Sequence, residues 1–444
     1  MHRQLDEEVI LKNLDRLEEE ASLIKLTTYE PTLEEINKVR DEILKFVQDK
    51  KRIIYGGYAQ NSLILSKNKK DAFYKETDLA DIEFYSPDPI GDTIDLCDRL
   101  KNKGFKYVEG KEGVHQETYK IFSNFINYCD ITYMPPNIFN NCPTIEVFGV
   151  RMTHPHLMLI DAYRVYTDPM TSYFRLKKTF TRFNVLMKYY PLDEKMLYNK
   201  VEQQGYNKQK TEEIIKYIRR NVLHKSKLIV VGQYAFNQLI KKAKAPGSYL
   251  VDENYYQVIS TDYGNDLNKI MNSLKKKYNV TTKKYYPFYQ YLDKSTEFYI
   301  NNELVLRVYG SNERCITYRY SKKKHTNFGT YQLIFMYNLI NYNIAIIRNN
   351  KFNVDLYGAM LVRMIKAQEK YLTDAGLNVL DKSPFQEFTM KCIGEPKDIL
   401  RESFLQKKKK RDAGKKIQFT YTPSDKPGKK PDFRFDNTSG ELVR

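Results

Sequence analysis

A chain of 444 residues is long enough for two or three domains, each able to bury its own core. With 41% hydrophobic and 29% charged residues, and only 19 Gly and 16 Pro, it is neither collagen-like nor wholly disordered. Its 73 Lys and Arg against 55 Asp and Glu leave a formal charge of +18, which favours a polyanionic partner, nucleic acid or an acidic membrane surface.

The N-terminus, Met-His-Arg-Gln-Leu-Asp-Glu-Glu, is too charged for a secretory signal. Residues 2–24 predict an acidic amphipathic helix with Leu5, Val9, Leu14, Leu17, Ala21 and Ile24 on its apolar face, packed on the body or on a partner. Thr32 and Glu35 have capping-box spacing, and Leu33, Ile36, Ile43 and Val47 then share one helical face. A short apolar strand, a Gly turn and a second helix follow in Ile53-Ile54-Tyr55-Gly56-Gly57-Tyr58-Ala59-Gln60-Asn61-Ser62-Leu63. Asp81-Ile82-Glu83-Phe84 reads as a strand, which projects Asp81 and Glu83 from one face. A helix is expected over 94–103, and a further strand carries Tyr128-Cys129-Asp130-Ile131.

This order repeats. Ile229-Val230-Val231-Gly232-Gln233-Tyr234-Ala235-Phe236-Asn237-Gln238-Leu239 shares five identities with the first copy inside nine residues, and it follows a charged amphipathic segment at Thr211-Glu212-Glu213-Ile214. Tyr256-Gln257-Val258-Ile259-Ser260 then lies opposite Ile82-Glu83-Phe84-Tyr85-Ser86, a helix over 268–277 matches 94–103, and Leu304-Val305-Leu306-Arg307-Val308 stands near the counterpart of the Asp130 strand. Asp81, Glu83 and Asp130 are thereby answered by Tyr255, Gln257 and Arg307. Loss of charge with retention of the apolar framework predicts two domains of one fold, the second without a metal site.

Between the copies, residues 172–188 predict a helix with Leu176, Phe180, Phe183 and Met187 as its apolar stripe and Arg175, Lys178 and Arg182 opposite. Those cations are either an ordinary solvated face or a grip on a triphosphate or RNA backbone, with Lys177 at the side of the helix as a further candidate. The uncharged stretch 326–347 contains five Asn and Gln side chains and reads as a buried helix, not a membrane span. From Lys407-Lys408-Lys409-Lys410-Arg411 onward, 12 basic and five acidic residues put +7 of the charge into the last 38 positions. Pro423, Pro427, Gly428 and Pro431 suggest little regular structure there. Phe419, Tyr421, Phe433 and Phe435 interleave with the charge, which suits single-stranded nucleic acid or else a solubilising or localisation tail. Cys97, Cys129, Cys142, Cys315 and Cys392 never form C-x-x-C, which predicts neither a disulfide framework nor a zinc knuckle and favours a reducing compartment. His154-Pro155-His156 has no thiolate pair nearby and is not read as a metal site.

Two carboxylates on one strand face, with a third on a neighbouring strand, repel unless a cation compensates, and oxygen donors of this kind suit one or two Mg²⁺ or Mn²⁺ ions better than zinc. Gly56-Gly57 before a helix lets backbone N–H groups approach a phosphate. In this order the motifs resemble the polymerase-β-like nucleotidyltransferases. More narrowly they resemble the mimivirus-type poly(A) polymerase catalytic subunits of giant DNA viruses, and more distantly those of African swine fever virus and poxviruses. The resemblance covers about 34–352 and is strongest over 53–182.

It implies an α/β (α+β) protein of two tandem nucleotidyltransferase-like domains, the second degenerate. The expected parts are an N-terminal helical extension (1–31), a catalytic domain (32–190), a degenerate second domain (191–400) and a basic, flexible tail (401–444). It implies Asp81, Glu83 and Asp130 as metal and catalytic carboxylates, and Gly56, Gly57 and Asn61 as nucleotide-binding residues with Lys177, Lys178 and Arg182. Arg175 and Lys407, Lys408, Lys409, Lys410 and Arg411 become the RNA-binding candidates. The spacer from Gly57 to Asp81 is lengthened by a Lys-rich insertion around 67–75, so Asp78 is a rival metal ligand, and Glu83 stands where many relatives have Asp. The implied activity is template-independent addition of AMP from ATP to an RNA 3′ end with two Mg²⁺ or Mn²⁺ ions. Uridylyl or CCA addition, oligoadenylate synthesis and a non-catalytic RNA-binding or processivity subunit are the alternatives. A single-stranded RNA 3′ end and ATP are the expected partners, with a homodimer possible, no membrane, and the host cytoplasm or virion as location.

Overall fold

The computed structural model describes residues 2–75, 78–115, 117–199, 201, 208–311, 314–415, 418–424, 434–435 and 442–443. It divides into two compact units, Met1–His154 with Ile399–Arg444, and Pro155–Asp398. In unit 1 the elements are α1 (Gln4–Thr28), α2 (Leu33–Asp49), β1 (Ile53–Tyr55), α3 (Gly56–Leu65), β2 (Ile82–Ser86), α4 (Pro89–Asn102), β3 (Glu109–Glu112), β4 (Thr118–Ser123), β5 (Ile126–Tyr133), α5 (Pro136–Phe139), β6 (Thr144–Val147) and β7 (Val150–Thr153). Unit 2 contains α6 (Pro155–Tyr166), α7 (Leu176–Tyr189), α8 (Lys208–Ile218), β8 (Ile229–Val231), α9 (Gly232–Lys242), β9 (Tyr256–Ser260), α10 (Tyr263–Lys275), β10 (Val280–Tyr285), β11 (Ser295–Ile300), β12 (Glu303–Gly310), β13 (Ile316–Ser321), β14 (Thr326–Gly329), α11 (Tyr331–Ile347), α12 (Lys351–Ala375) and β15 (Cys392–Ile393). The chain then returns to unit 1 with α13 (Ile399–Asp412) and β16 (Thr420–Tyr421).

Each unit is built on one mixed sheet, ordered β16-β3-β4-β5-β2-β1-β7-β6 in the first and β10-β11-β12-β9-β8-β14-β13-β15 in the second. Apart from the added edge strands β16 and β15, the two orders are the same. The duplication extends to polar detail. The Ser86 hydroxyl donates to Asp92 at 2.6 Å and accepts from the Asp88 N–H, and the Ser260 hydroxyl treats Asp266 and Asp262 in the same way. Asn61 Oδ1 accepts from the N–H groups of Phe73 and Tyr74, as Asn237 Oδ1 accepts from that of Val251.

Local chemistry explains where the elements begin. Thr32 Oγ1 accepts from the Glu35 N–H, as its spacing predicts, and α2 buries Ile36, Val39, Ile43, Phe46 and Val47. The helix expected at 94 starts earlier, at Pro89, because Asp88 caps the Gly91 N–H and Pro89 suits the first turn. Thr211 lies inside α8, which begins at Lys208.

Four expectations are corrected. The uncharged stretch 326–347 holds a strand before its helix: β14 pairs with β8 and β13, and Thr330 then caps α11. The expected N-terminal helix forms as Gln4–Thr28, but Leu5, Val9, Leu14, Leu17 and Ile24 are exposed and only Leu26 of α1 is buried, so this apolar face is not packed on the body. Cys315 and Cys392, 77 residues apart, form a disulfide because antiparallel pairing of β13 with β15 brings them together. The basic C-terminal run is helical through Asp412, and Thr420–Tyr421 pairs with β3, where Phe419 is buried edge-on to Tyr119 and Tyr421 donates to Asp98. That added strand covers a sheet edge, a use for the aromatic residues that composition did not reveal. Lys416, Lys426, Lys429, Lys430 and Phe433 lie outside the described residues. Among the described residues no helix is long and apolar enough to cross a membrane.

Across the middle of the first sheet, Tyr55, Glu83, Asp130 and Lys120 stand side by side on β1, β2, β5 and β4. The same register in the second sheet aligns Val231, Gln257, Arg307 and Glu297. Glu297 there accepts from Arg307 Nε at 2.8 Å and from the Tyr285 and Tyr299 hydroxyls. Burial pushes its carboxyl up, but the Arg307 charge and these hydrogen bonds outweigh it and hold the group below its ordinary value. Glu297→Gln leaves the Arg307 charge uncompensated, so it is expected to cost about 2–4 kcal/mol. Because the folded-state pKa is depressed, that contribution is complete above the ordinary Glu range and is lost as pH falls through the lower value. Urea unfolding of unit 2 should therefore separate variant from wild type at pH 7 and bring them together in acid.

Candidate active site

The turn between β1 and α3 determines what lies beside it. Gly56 has φ +69°, and a Cβ there would land on Glu83 Oε2, so only glycine combines this backbone with the carboxylate's position. The Gly57 N–H donates to Glu83 Oε2 at 3.0 Å, which places the carboxylate at the start of a helix, where backbone N–H groups point outward. In unit 2, Gly232 has φ +67° and its Cβ would meet Gln257 at 2.6 Å, an amide in the place of the carboxylate.

Asp81 stands one residue before β2, and Glu83 lies beside Asp130 across the parallel β2–β5 pair. The register puts Glu83 and Asp130 on one face of the sheet. The buried thiol of Cys129 is raised first by burial and then by the charge of Asp130, with Asp81 also contributing, so both lie within electrostatic reach of it.

Lys120 compensates this density of negative charge. Its Nζ donates to both oxygens of Asp130 at 2.7 Å, and Asn127 Nδ2 adds a bond at 3.1 Å. Nearby, Thr132 Oγ1 bonds to the Tyr55 hydroxyl at 2.7 Å and to Thr118 Oγ1 at 3.0 Å. Among the described residues no three His, Cys, Asp or Glu side chains converge as a metal-ready set. The reason is visible in the bonding: Glu83 is turned to the helix N-terminus and Asp130 to the ammonium. The donors nevertheless fit a hard divalent cation, since all are carboxylate oxygens and a positive group already sits on Asp130.

The other expected site residues have separate places. Asn61 uses its carbonyl oxygen on the backbone of Phe73 and Tyr74, at 2.8 and 3.1 Å, so it pins the loop that leads to Asp81. Asp78 accepts from the Lys75 N–H at 2.8 Å in that loop and is exposed. Arg175, Lys177, Lys178 and Arg182 belong to unit 2. Arg175 ends a short 3-10 turn and the others lie on α7, whose buried side chains are Phe183 and Leu186 while Phe180 is half exposed. Lys407 to Arg411 lie on α13 of unit 1, with Lys407 bonded to Gln418. Lys120 escaped sequence reasoning, because its partner follows from the β4–β5 register, which shifts between Ile121 and Phe122.

Comparison with known proteins supplies a context for this geometry. Residues 41–172 match a family model described as the poly(A) polymerase catalytic subunit, and residues 184–444 match one for the C-terminal part of the APMV poly(A) polymerase catalytic subunit. A protein of Acanthamoeba polyphaga mimivirus named as a poly(A) polymerase catalytic subunit is 31% identical over 488 residues, covering 98% of this chain and 82% of its own. An African swine fever virus protein of the same designation is 31% identical over 164 residues, covering 36% of this chain and 34% of its own. The crystal structure of the Megavirus polyadenylate synthase matches with a TM-score of 0.91 at 31% identity, over 100% of this chain and 93% of that one.

The ion pair invites a direct test. Lys120→Met should lower the stability of unit 1 by about 1–2 kcal/mol, the pair being partly exposed. Adding Asp130→Asn should recover most of the loss, and a double-mutant cycle by urea unfolding measures the coupling.

Proposed function

The chain belongs to the poly(A) polymerase catalytic subunit family and is a polynucleotide adenylyltransferase; from that premise we propose that unit 1 transfers AMP from ATP to the 3′ end of single-stranded RNA, with Asp81, Glu83 and Asp130 as its catalytic carboxylates. One observation carries this reading. The same sheet position that reads Tyr55–Glu83–Asp130–Lys120 in unit 1 reads Val231–Gln257–Arg307–Glu297 in unit 2. A set of acidic side chains present in one copy and replaced in its duplicate, on an unchanged framework, is what a single active centre requires.

Asp81, Glu83 and Asp130 would hold two Mg²⁺ or Mn²⁺ ions, which when bound supply charge stabilisation for phosphoryl transfer and lower the pKa of the attacking hydroxyl. The protein's own groups do the rest. Asp130 Oδ accepts the proton of the RNA 3′-hydroxyl, and Asn127 and Lys120 orient that carboxylate. Glu83, held on the Gly57 N–H, is positioned by the helix end. Gly56 and Gly57 are the proposed nucleotide-binding turn, and a triphosphate would take the Gly57 N–H in place of Glu83. Asn61 supports nucleotide binding indirectly, through the loop it pins. In unit 2, Arg175, Lys177, Lys178 and Arg182 offer cations to the phosphates of a nucleotide or an RNA backbone, and in unit 1 Lys407, Lys408, Lys409, Lys410 and Arg411 form a further polyanion-binding run.

Primer extension on a labelled single-stranded RNA, with Mg²⁺ or Mn²⁺ and each of the four triphosphates separately, tests the reading. A ladder with ATP alone is expected, reduced about 1,000-fold or more in Asp81→Ala/Glu83→Ala. Unchanged extension by that variant would remove these residues from the chemistry. Extension with UTP or CTP would keep the mechanism and reassign the nucleotide.

A further inference from the structure

Between α6 and α7 the chain builds a turn whose two outward rings have no place in the account so far. Thr167 donates to the Tyr163 carbonyl at 2.8 Å, and the buried Asp168 accepts from both the N–H and the hydroxyl of Thr171. The Ser172 N–H returns to the Asp168 carbonyl and the Arg175 N–H to that of Ser172, which closes the 3-10 turn Tyr173–Arg175. On the far side α7 is anchored through Phe183 and Leu186, and Phe180 packs edge-on to Phe388 with centroids 6.0 Å apart. The segment is therefore held at both ends.

What it presents to solvent is aromatic. Tyr173 is 70% exposed and Phe174 67% exposed, with their rings edge to face at 6.1 Å. The Arg175 guanidinium lies 5.4 Å from the Phe174 ring centroid, and Lys177 and Lys178 are exposed on the next helical turn. Leaving two rings in water forgoes apolar burial that a fold normally uses, so a fixed, solvated pair calls for an occupant. The neighbouring charge selects it. On α1 the exposed side chains are aliphatic and interspersed with Asp6, Glu7, Asp15, Glu18, Glu19 and Glu20, a surface that repels a polyanion. Rings flanked by cations instead suit a ligand with flat faces and phosphates, namely unpaired nucleotides. A duplex hides the base faces that such rings need.

We propose that Tyr173 and Phe174 form a base-stacking platform for the single-stranded RNA acceptor, with Arg175, Lys177 and Lys178 pairing the adjacent phosphates. This rests on the RNA-acceptor reading given above and adds the residues that recognise bases without regard to their sequence.

Fluorescence anisotropy of a labelled oligo(A) RNA, titrated with the full-length chain at several salt concentrations, tests it alongside an oligo(A) carrying 2-aminopurine, whose emission falls on stacking. Tyr173→Ala/Phe174→Ala should weaken binding about 10- to 100-fold, abolish the 2-aminopurine quenching and leave the salt slope unchanged. Lys177→Gln/Lys178→Gln should reduce the salt slope by about one to two and keep the quenching. Tyr173→Phe/Phe174→Tyr, which keeps both rings, should bind as wild type does, and matching thermal melts exclude misfolding of the alanine pair. If wild type binds RNA and the alanine pair binds equally well, the platform is refuted while the acceptor reading stands. If the alanine pair changes only the molecular mass seen by light scattering, the rings are a protein contact and the platform is refuted. If wild type binds no RNA, the acceptor reading itself fails and the platform with it.

Discussion

Two carboxylates placed side by side on neighbouring strands are costly, and the first unit is arranged around that cost. Glu83 and Asp130 are register partners, so their side chains leave the same sheet face close together, with Asp81 one residue before the strand. Each has a positive group assigned to it: the helix N-terminus at Gly57 for Glu83, and the Lys120 ammonium for Asp130. The left-handed Gly56 follows from this, because any side chain there would displace Glu83.

The second unit shows what the framework does without that demand. The strand order and the Ser–Asp bond under the sheet are the same, and an Asn again pins the loop after the β-strand–helix turn. Yet charges at the central register positions are inverted: Lys120 and Asp130 become Glu297 and Arg307. Arg307 is tied to Glu297 and Tyr309 and lies over the Tyr255 ring. An arginine so engaged puts an internal ion pair at the register position that Asp130 holds in unit 1. Unit 2 thus carries a self-neutralised pair where unit 1 carries neighbouring carboxylates.

Much of this was legible in the chain because it is local. The Thr32 cap, the paired Gly56 and Gly232 turns and the alternation Asp81-x-Glu83 each declare themselves within a few residues, and the repeat let one copy serve as a control for the other. What escaped depends on contacts distant in sequence. Lys120 meets Asp130 only through a bulged antiparallel register, and Cys315 meets Cys392 only because two short strands pair. Asn61 sits in the helix where a nucleotide ligand is expected, but its amide is committed to a loop 12 residues on. In 326–347, an uncharged strand and an uncharged helix run together without a charged break, so β14 merged with α11. The basic tail was read from composition, which could not reveal that Phe419 and Tyr421 close a sheet edge.

The central claim is that cation binding belongs to unit 1 and is absent from its duplicate. Counting bound Mn²⁺ by electron paramagnetic resonance on the full-length chain, with no nucleotide or RNA present, tests it most directly. The account predicts that Asp81→Ala/Glu83→Ala/Asp130→Ala abolishes the tight sites, whereas Tyr255→Ala/Gln257→Ala leaves them intact. Tight binding that survives the triple change, or that depends on residues 255 and 257, would contradict it.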